Sequence, residues 1–354
     1  MFSELLGLFI DRLIFWTLRP ARVSRSSNRE ELTELARLNL SAETERLVNT
    51  PAEIKPRFAS KLDYQPGDRQ NRFRRLTFSS PLPSGAEFND TVRGRLYGEI
   101  KPSGRVLVYL HGWLEPSLIV PHNLAPLITE SGGALLALQL PWHMSRCPAG
   151  EHSGSSFLSG DLPRSWRSFQ QALAELTAVV GWIKGQGATV TTMGMSLGGL
   201  IQGLFSVYRE TSPRRTVLLV PASRPAAILD FSILPSQIRT DFARQGLVGE
   251  KLNPFLNLLD LTKKTPRQSA DSVLVVSGRS DQVIEVRLQR LLTNRWNCEH
   301  RSLPTGHLGP AFQLILGRQL KSKRLLAPWR RIAKFLEEQN TPLTKADRLV
   351  TLRR

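Results

Sequence analysis

Residues 194–198, Gly-Met-Ser-Leu-Gly, constrain the fold of this chain more than any other feature. They fit the pattern G-x-S-x-G, in which glycines on both sides of a serine let a strand turn sharply into a helix. Residues 188–193 before them are β-branched and apolar, as in a buried parallel strand. Residues 199–208 after them have apolar side chains at helical spacing. The pattern predicts a strand–turn–helix unit that exposes the Ser196 hydroxyl; the alternative is a serine in an ordinary glycine-rich turn.

Short apolar runs recur along the chain at intervals typical of alternating strands and helices. The predicted strands are residues 72–79, 91–99, 105–110, 133–140, 188–193, 215–220, 272–277 and 299–303. The first two alternate like an antiparallel pair, and the predicted helices of the same region are residues 123–131, 165–184 and 327–338. We therefore predict an α/β fold with a mostly parallel sheet flanked by helices, in which functional side chains follow the carboxyl ends of strands.

The pattern divides the chain into three parts. Residues 1–70 are predicted to be a helical N-terminal extension that begins with an amphipathic helix, and residues 341–354 are a basic C-terminal tail. Residues 71–340 carry the strand pattern between them. The segment at about 221–271, between the sixth and seventh predicted strands, is longer than a normal crossover connection and contains an apolar, helical stretch at 238–261. We expect this insertion to form a cap over the functional site.

Two polar residues follow predicted strands downstream of Ser196. Asp281 lies a short loop beyond the seventh strand, and His307 lies on a glycine-containing loop after the eighth. A serine hydroxyl needs an imidazole to accept its proton, and a carboxylate orients that imidazole. We predict that Ser196, His307 and Asp281 are nucleophile, base and orienting acid. The alternatives are a local loop hydrogen bond for His307 and a turn or helix cap for Asp281; the fallback acids are Asp230, Asp241 and Asp260.

The oxyanion that forms when a serine attacks a carbonyl needs two hydrogen-bond donors, usually backbone N–H groups. One donor is assigned to Leu197, which follows the nucleophile where the helix begins. The other is assigned to the loop after the third strand, which has the sequence His111-Gly112-Trp113. We predict that the Trp113 backbone supplies this donor. His111 is expected to hold the loop by hydrogen bonds rather than act as a base, with substrate contact as an alternative.

The loop at residues 141–161 follows a predicted sheet strand, so we expect it to border the same pocket. Trp142, His143 and Arg146 are its candidate substrate-binding residues, and Arg146 is suited to a carboxylate or phosphate group. The alternative is that these side chains only support the loop.

Composition excludes several classes of protein. Two cysteines in 354 residues suggest no disulfide framework, and the six histidines lack metal-site spacing, so no metal or cofactor is expected. The net charge is +18, with 11 basic and 3 acidic residues in 318–354. This charge suits an anionic membrane surface, whereas nucleic-acid binding is disfavoured because no accompanying motif is present. The start of the chain lacks a signal-peptide pattern, so we expect a cytoplasmic protein, with peripheral membrane binding as an alternative.

Four motifs in order resemble the α/β-hydrolase superfamily over roughly residues 71–340: His-Gly at 111–112, Gly-Met-Ser-Leu-Gly-Gly at 194–199, the Asp281 loop, and Thr-Gly-His at 305–307. Residues 140–144, Leu-Pro-Trp-His-Met, and the Pro-Ala-Gly…Phe-Leu-Ser-Gly-Asp segment after them resemble a poorly characterised group of α/β-hydrolase-domain proteins.

The resemblance implies metal-independent hydrolysis of an ester, thioester or amide. Together with the apolar insertion, it favours a carboxylesterase or lipase-like enzyme that acts on a small-molecule or lipid ester. The alternatives are an acyltransferase or peptidase with the same triad, and a non-catalytic binding protein on the same fold. The sequence does not predict an oligomeric state.

Overall fold

The computed structural model describes residues 25–210, 212–231 and 236–338. Its strands are β1 (Arg57–Phe58), β2 (Asp63–Gln65), β3 (Asp68–Ser79), β4 (Thr91–Tyr97), β5 (Arg105–Leu110), β6 (Ala134–Leu138), β7 (Thr189–Met195), β8 (Thr216–Leu219), β9 (Val273–Gly278) and β10 (Glu299–Leu303). Its α-helices are α1 (Arg29–Arg37), α2 (Leu40–Asn49), α3 (Glu87–Asp90), α4 (Ile119–Thr129), α5 (Leu162–Gly185), α6 (Leu197–Tyr208), α7 (Pro225–Phe231), α8 (Ser236–Arg244), α9 (Asn253–Leu259), α10 (Val286–Trp296), α11 (Gly309–Gln319) and α12 (Lys323–Glu337).

The strands of the described residues form one sheet in the order β1-β3-β4-β6-β5-β7-β8-β9-β10, and β2 pairs with β3. The six adjacent strands β6, β5, β7, β8, β9 and β10 are parallel. β1, β2, β3 and β4 join the sheet in antiparallel pairs. The predicted α/β fold with a mostly parallel sheet is therefore confirmed.

Helices cover both faces of the sheet. α5 and α6 pack on one face, where Trp166, Phe169 and Leu204 are buried with one set of strand side chains. α4, α11 and α12 pack on the other face around Leu124 and Trp329. Because both faces are covered, the central strands are apolar without alternation, and all six residues of β9 are buried.

Several elements begin or end away from their predicted positions for local reasons. α5 begins at Leu162, before the predicted residue 165, because the Asp161 side chain accepts a hydrogen bond from the Arg164 N–H and caps the helix. The apolar stretch at 238–261 does not form one helix. It contains α8 and α9, which are separated by a turn in which Gly246 has φ +66° and Gly249 has φ +53°.

The described part of the predicted N-terminal extension is not only helical. β1 and β2 pair with β3, so the sheet starts before residue 71. The amphipathic helix predicted at the start of the chain and the basic tail at 341–354 lie outside the described residues. No helix among the described residues is long and apolar enough to cross a membrane.

Candidate active site

The strand–turn–helix unit around Ser196 has the geometry that its sequence predicts. β7 ends at Met195, Ser196 has the left-handed φ of 53°, and α6 begins at Leu197. A Cβ on Gly194 would lie 2.1 Å from the Gly198 carbonyl oxygen, and a Cβ on Gly198 would lie 2.3 Å from the Leu110 carbonyl oxygen in β5. Both distances are too short for any side chain, so both positions require glycine.

Ser196, His307 and Asp281 lie together at the carboxyl ends of the strands. The Ser196 hydroxyl is 3.0 Å from His307 Nε2, and His307 Nδ1 is 2.8 Å from Asp281 Oδ2. Because a carboxylate can only accept, Nδ1 carries the proton and Nε2 accepts from the serine. Asp281 Oδ1 also accepts from the backbone N–H groups of Val283 and Ile284, at 2.9 and 2.8 Å. These contacts fix the carboxylate, and the side chains of His307 and Asp281 are 3% and 1% exposed.

The two predicted oxyanion donors lie beside Ser196. Leu197 is the first residue of α6, so its N–H has no partner within the helix. Among the described residues, neither this N–H nor that of Trp113 has a hydrogen-bond acceptor. The neighbouring groups are engaged, since Gly198 N–H donates to the His111 carbonyl and the Trp113 indole donates to the Gly154 carbonyl at 2.8 Å. The two free N–H groups are thus available to a ligand.

A cavity of about 300 Å³ adjoins Ser196 and His307. Apolar residues of the predicted cap insertion form one wall: Ala222, Pro225, Ile228, Leu229, Ile238, Phe242, Phe255, Leu256 and Leu259. Other elements supply Leu158, Phe169, Leu200, Leu308, Ala311, Phe312 and Ile315. The walls are therefore mostly hydrocarbon, which suits an apolar ligand.

The structure does not bring His111, Trp142, His143 and Arg146 to this cavity, which corrects their prediction as substrate-binding residues. Arg146 is fully buried and makes a bidentate ion pair with Glu175, with N–O distances of 2.8 and 2.6 Å. Its remaining N–H groups donate to the carbonyls of Asn89 and Gln139. The guanidinium is saturated by the protein and cannot receive a substrate anion.

The histidines of the two loops have structural contacts. His111 Nε2 accepts from the Leu140 N–H at 3.0 Å, and its Nδ1 donates to the Gly112 carbonyl at 2.8 Å. Burial lowers the pKa of His111 to about 4, so the ring is neutral at neutral pH. The ring of His143 packs edge-on against it, with centroids 4.8 Å apart. Together these rings join the loop after β5 to the loop after β6, and the hydrogen bonds of His111 agree with the expectation that it holds its loop in place.

Sequence reasoning missed Glu115 and Glu175. Glu175 lies in the middle of α5, where its apolar neighbours give the only signal that a carboxylate there would be buried and paired. Glu115 lines the cavity, and its Oε1 accepts a hydrogen bond from the Gly112 N–H at 2.7 Å. Its position three residues after Gly112, in the loop predicted to supply an oxyanion donor, is a signal that could have identified it.

Comparisons with known proteins bear on the fold. No protein-family model matches the chain, and no curated protein matches it. It is similar to the solved structure of acetyl xylan esterase 1 from Thermoanaerobacterium sp. JW/SL YS485, with 18% identity, a TM-score of 0.54, and coverage of 83% of this chain and 96% of that one. The acetyl xylan esterase from Paenibacillus sp. R4 gives 14% identity, a TM-score of 0.55, and coverage of 85% and 95%.

A third similar structure, carboxyl esterase 2 from Tuber melanosporum, gives 17% identity, a TM-score of 0.50, and coverage of 78% and 89%. Its similarity spans most of both chains, as it does for the two acetyl xylan esterases. Together with the strand order, these similarities show that the chain has an α/β-hydrolase fold.

Proposed function

We propose that this protein is a serine hydrolase that cleaves carboxylic esters through an acyl-enzyme on Ser196. The observation that carries the proposal is the continuous hydrogen-bonded arrangement from Ser196 Oγ through His307 to Asp281, at 3.0 and 2.8 Å. A serine that borders a cavity and pairs with an imidazole, which a buried carboxylate orients, is the arrangement that activates a hydroxyl nucleophile.

The proposed reaction uses two steps. His307 Nε2 accepts the Ser196 proton as Oγ attacks the ester carbonyl, and the N–H groups of Leu197 and Trp113 stabilise the oxyanion. His307 then donates the proton to the departing alcohol, which leaves an ester on Ser196. In the second step His307 accepts a proton from water, the hydroxide attacks the acyl carbonyl, and the acid is released as Ser196 regains its proton. Asp281 stabilises the imidazolium in both steps.

The cavity supports an ester with an apolar acyl group, including a lipid ester. Two of the similar structures are acetyl xylan esterases and one is a carboxyl esterase, which supports ester hydrolysis in general. The mostly hydrocarbon walls favour burial of a longer apolar chain over a sugar, because each buried methylene contributes about 0.8 kcal/mol. We also propose, as a finer assignment, that the protein belongs to the poorly characterised group of α/β-hydrolase-domain proteins that residues 140–144 resemble.

A fluorophosphonate probe tests the nucleophile. We expect the wild type to be labelled, Ser196→Ala to be unlabelled, and ester hydrolysis to fall by about 10⁴-fold or more in this variant. Ser117→Ala is the matched control, because Ser117 lines the same cavity without contacting His307. Equal labelling of wild type and Ser196→Ala, or no labelling of the wild type, contradicts the proposal.

Other uses of the same site remain as alternatives. Acyl transfer or peptide hydrolysis would appear in product analysis with added alcohol, amine or peptide, and a non-catalytic binding protein would give no turnover at all. Contact with an anionic membrane surface is a proposal from the charge of residues 318–354, of which 339–354 lie outside the described ranges and hold four of the 11 basic residues. Liposome co-sedimentation tests this proposal by comparing the full chain with a chain that ends at residue 338.

A further inference from the structure

Glu115 is a carboxylic side chain beside the nucleophile that the proposed reaction does not use. It lies in the loop between β5 and α4, and its Oε1 accepts the Gly112 N–H at 2.7 Å. A Cβ built on Gly112 would lie 3.1 Å from Glu115 Oε1 and 3.5 Å from Ser196 Cβ. The carboxyl group and the nucleophile therefore flank the same glycine, whose next peptide N–H is that of Trp113.

The surroundings of this carboxyl group disfavour its charged form. Oε2 is shielded from solvent and has no hydrogen-bond partner among the described residues. Burial raises the pKa of Glu115 to about 7, against the opposing effects of the Gly112 N–H and of His307. The other titratable group that interacts with it is Tyr109 at the end of β5, whose pKa burial and the Glu115 charge both raise. The uncharged acid avoids a buried negative charge, and its Oε1 still accepts the Gly112 N–H.

We propose that Glu115 is a positioning residue that acts as an uncharged acid and, by binding the Gly112 N–H, holds the adjoining Trp113 N–H toward the oxyanion. The inference rests on the proposed function. Ionisation of Glu115 would put a second negative charge near the developing oxyanion, and like charges that are shielded from solvent oppose each other strongly. The uncharged form is thus the productive one.

The test is the pH dependence of kcat/KM for p-nitrophenyl butyrate between pH 5 and 9, with released butyrate measured by chromatography so that the readout does not depend on pH. In the wild type we expect activity to rise as His307 loses its proton and then to fall at least about tenfold as Glu115 ionises. In Glu115→Gln the amide oxygen still accepts the Gly112 N–H, so the rising limb should remain and the falling limb should disappear. Glu130→Gln, at an exposed position after α4, is the control that should keep the wild-type profile.

A second variant separates positioning from mere support of the fold. Glu115→Leu has similar size but no acceptor for Gly112, so we expect kcat to fall about tenfold or more with little change in KM, and Glu115→Gln to restore kcat near pH 6. Thermal unfolding checks that both variants are folded.

Three results would overturn the inference. Identical pH profiles in wild type and Glu115→Gln exclude the charge effect, and wild-type kcat in Glu115→Leu excludes positioning. If the wild type and Glu130→Gln are both inactive and unlabelled by the fluorophosphonate probe, the proposed function itself fails and the inference falls with it.

Discussion

All the nitrogens of the Arg146 guanidinium donate hydrogen bonds to groups within the protein. This guanidinium is buried beneath the loop after β6 and is shared between one carboxylate, that of Glu175, and two backbone carbonyls. The Ser80 hydroxyl donates to the same carboxylate at 2.7 Å, so both charges are satisfied. A buried pair of this kind costs desolvation free energy, but removing one partner leaves a charge in the interior without compensation.

We therefore predict that Arg146→Ala lowers the free energy of unfolding by about 3–5 kcal/mol, measured by urea denaturation. Arg75→Ala is the matched control, since the ion pair of Arg75 with Asp63 lies at the surface and its arginine side chain is 70% exposed. That variant should change stability by about 1 kcal/mol or less. A folded, stable Arg146→Ala protein with a selective loss of substrate affinity would restore the original substrate-binding prediction.

At the scale of elements, the junction of β7 with α6 determines where the nucleophile lies. A Cβ built on Gly198 would lie 2.3 Å from the Leu110 carbonyl oxygen of β5, and a Cβ built on Gly199 would lie 3.0 Å from Pro221 Cα after β8. The neighbouring backbone therefore approaches this turn very closely. Ser196 takes its left-handed φ because its backbone N–H donates to Leu219 while its carbonyl accepts from Leu200 and Ala222. The neighbouring strands thus hold a conformation that a non-glycine residue rarely adopts.

Gly198→Ala should disrupt this junction. The added methyl group would lie 2.3 Å from the Leu110 carbonyl oxygen, so we expect a loss of about 1–3 kcal/mol in unfolding free energy and loss of probe labelling at Ser196. Gly181→Ala near the C-terminal end of α5 is the control, because a Cβ there meets nothing within 4 Å and should stabilise the helix by about 0.5–1 kcal/mol. Retained labelling and stability in Gly198→Ala would contradict this account of the turn.

At the scale of the whole molecule, the parallel sheet gathers the proposed catalytic groups from distant parts of the chain. Ser196 follows β7, Asp281 follows β9, His307 follows β10 and Trp113 follows β5, and all of these strands end on the same side. The segment between β8 and β9 and the helix α11 then enclose the space above them with apolar side chains. For the proposed ester substrate, this cavity volume of about 300 Å³ would limit how much of an acyl chain can be buried.

Two adjacent residues of α11 test whether this cavity holds the acyl chain. Ile315 lines the cavity, whereas Leu316 is 42% exposed. We expect Ile315→Trp to lower kcat/KM for a twelve-carbon p-nitrophenyl ester about tenfold relative to the four-carbon ester, because the ring occupies space that the longer chain needs. Leu316→Trp should leave the chain-length profile unchanged. The same profile in both variants would place the acyl chain elsewhere.

The sequence predicted most of the fold because the relevant signals are local. The strand predicted at 105–110 has these bounds as β5, and the eighth predicted strand coincides with β10. The positions of Ser196, Asp281 and His307 follow from such signals too, since each comes directly after a recognisable strand. The helical stretch predicted at 238–261 is divided into α8 and α9, because hydrophobic periodicity does not reveal that Gly246 and Gly249 adopt positive φ.

The roles of individual polar side chains were harder to predict. Arg146 looked like a ligand for an anion, but its partner Glu175 lies 29 residues away on α5. Sequence reasoning did not single out Glu115, although packing places it beside Gly112 and Ser196 and burial raises its pKa to about 7. Burial, pairing and pKa depend on atoms from several elements at once, so no local pattern contains them.

The sequence by itself determined the alternation of strands and helices, the tight turn at Ser196 and the placement of Asp281 and His307 shortly after strands, because each depends on residues close together in the chain. Tertiary structure decided which side chains face the cavity, which charges are neutralised inside the protein and how large the cavity is, because these properties arise only when segments far apart in sequence pack against each other.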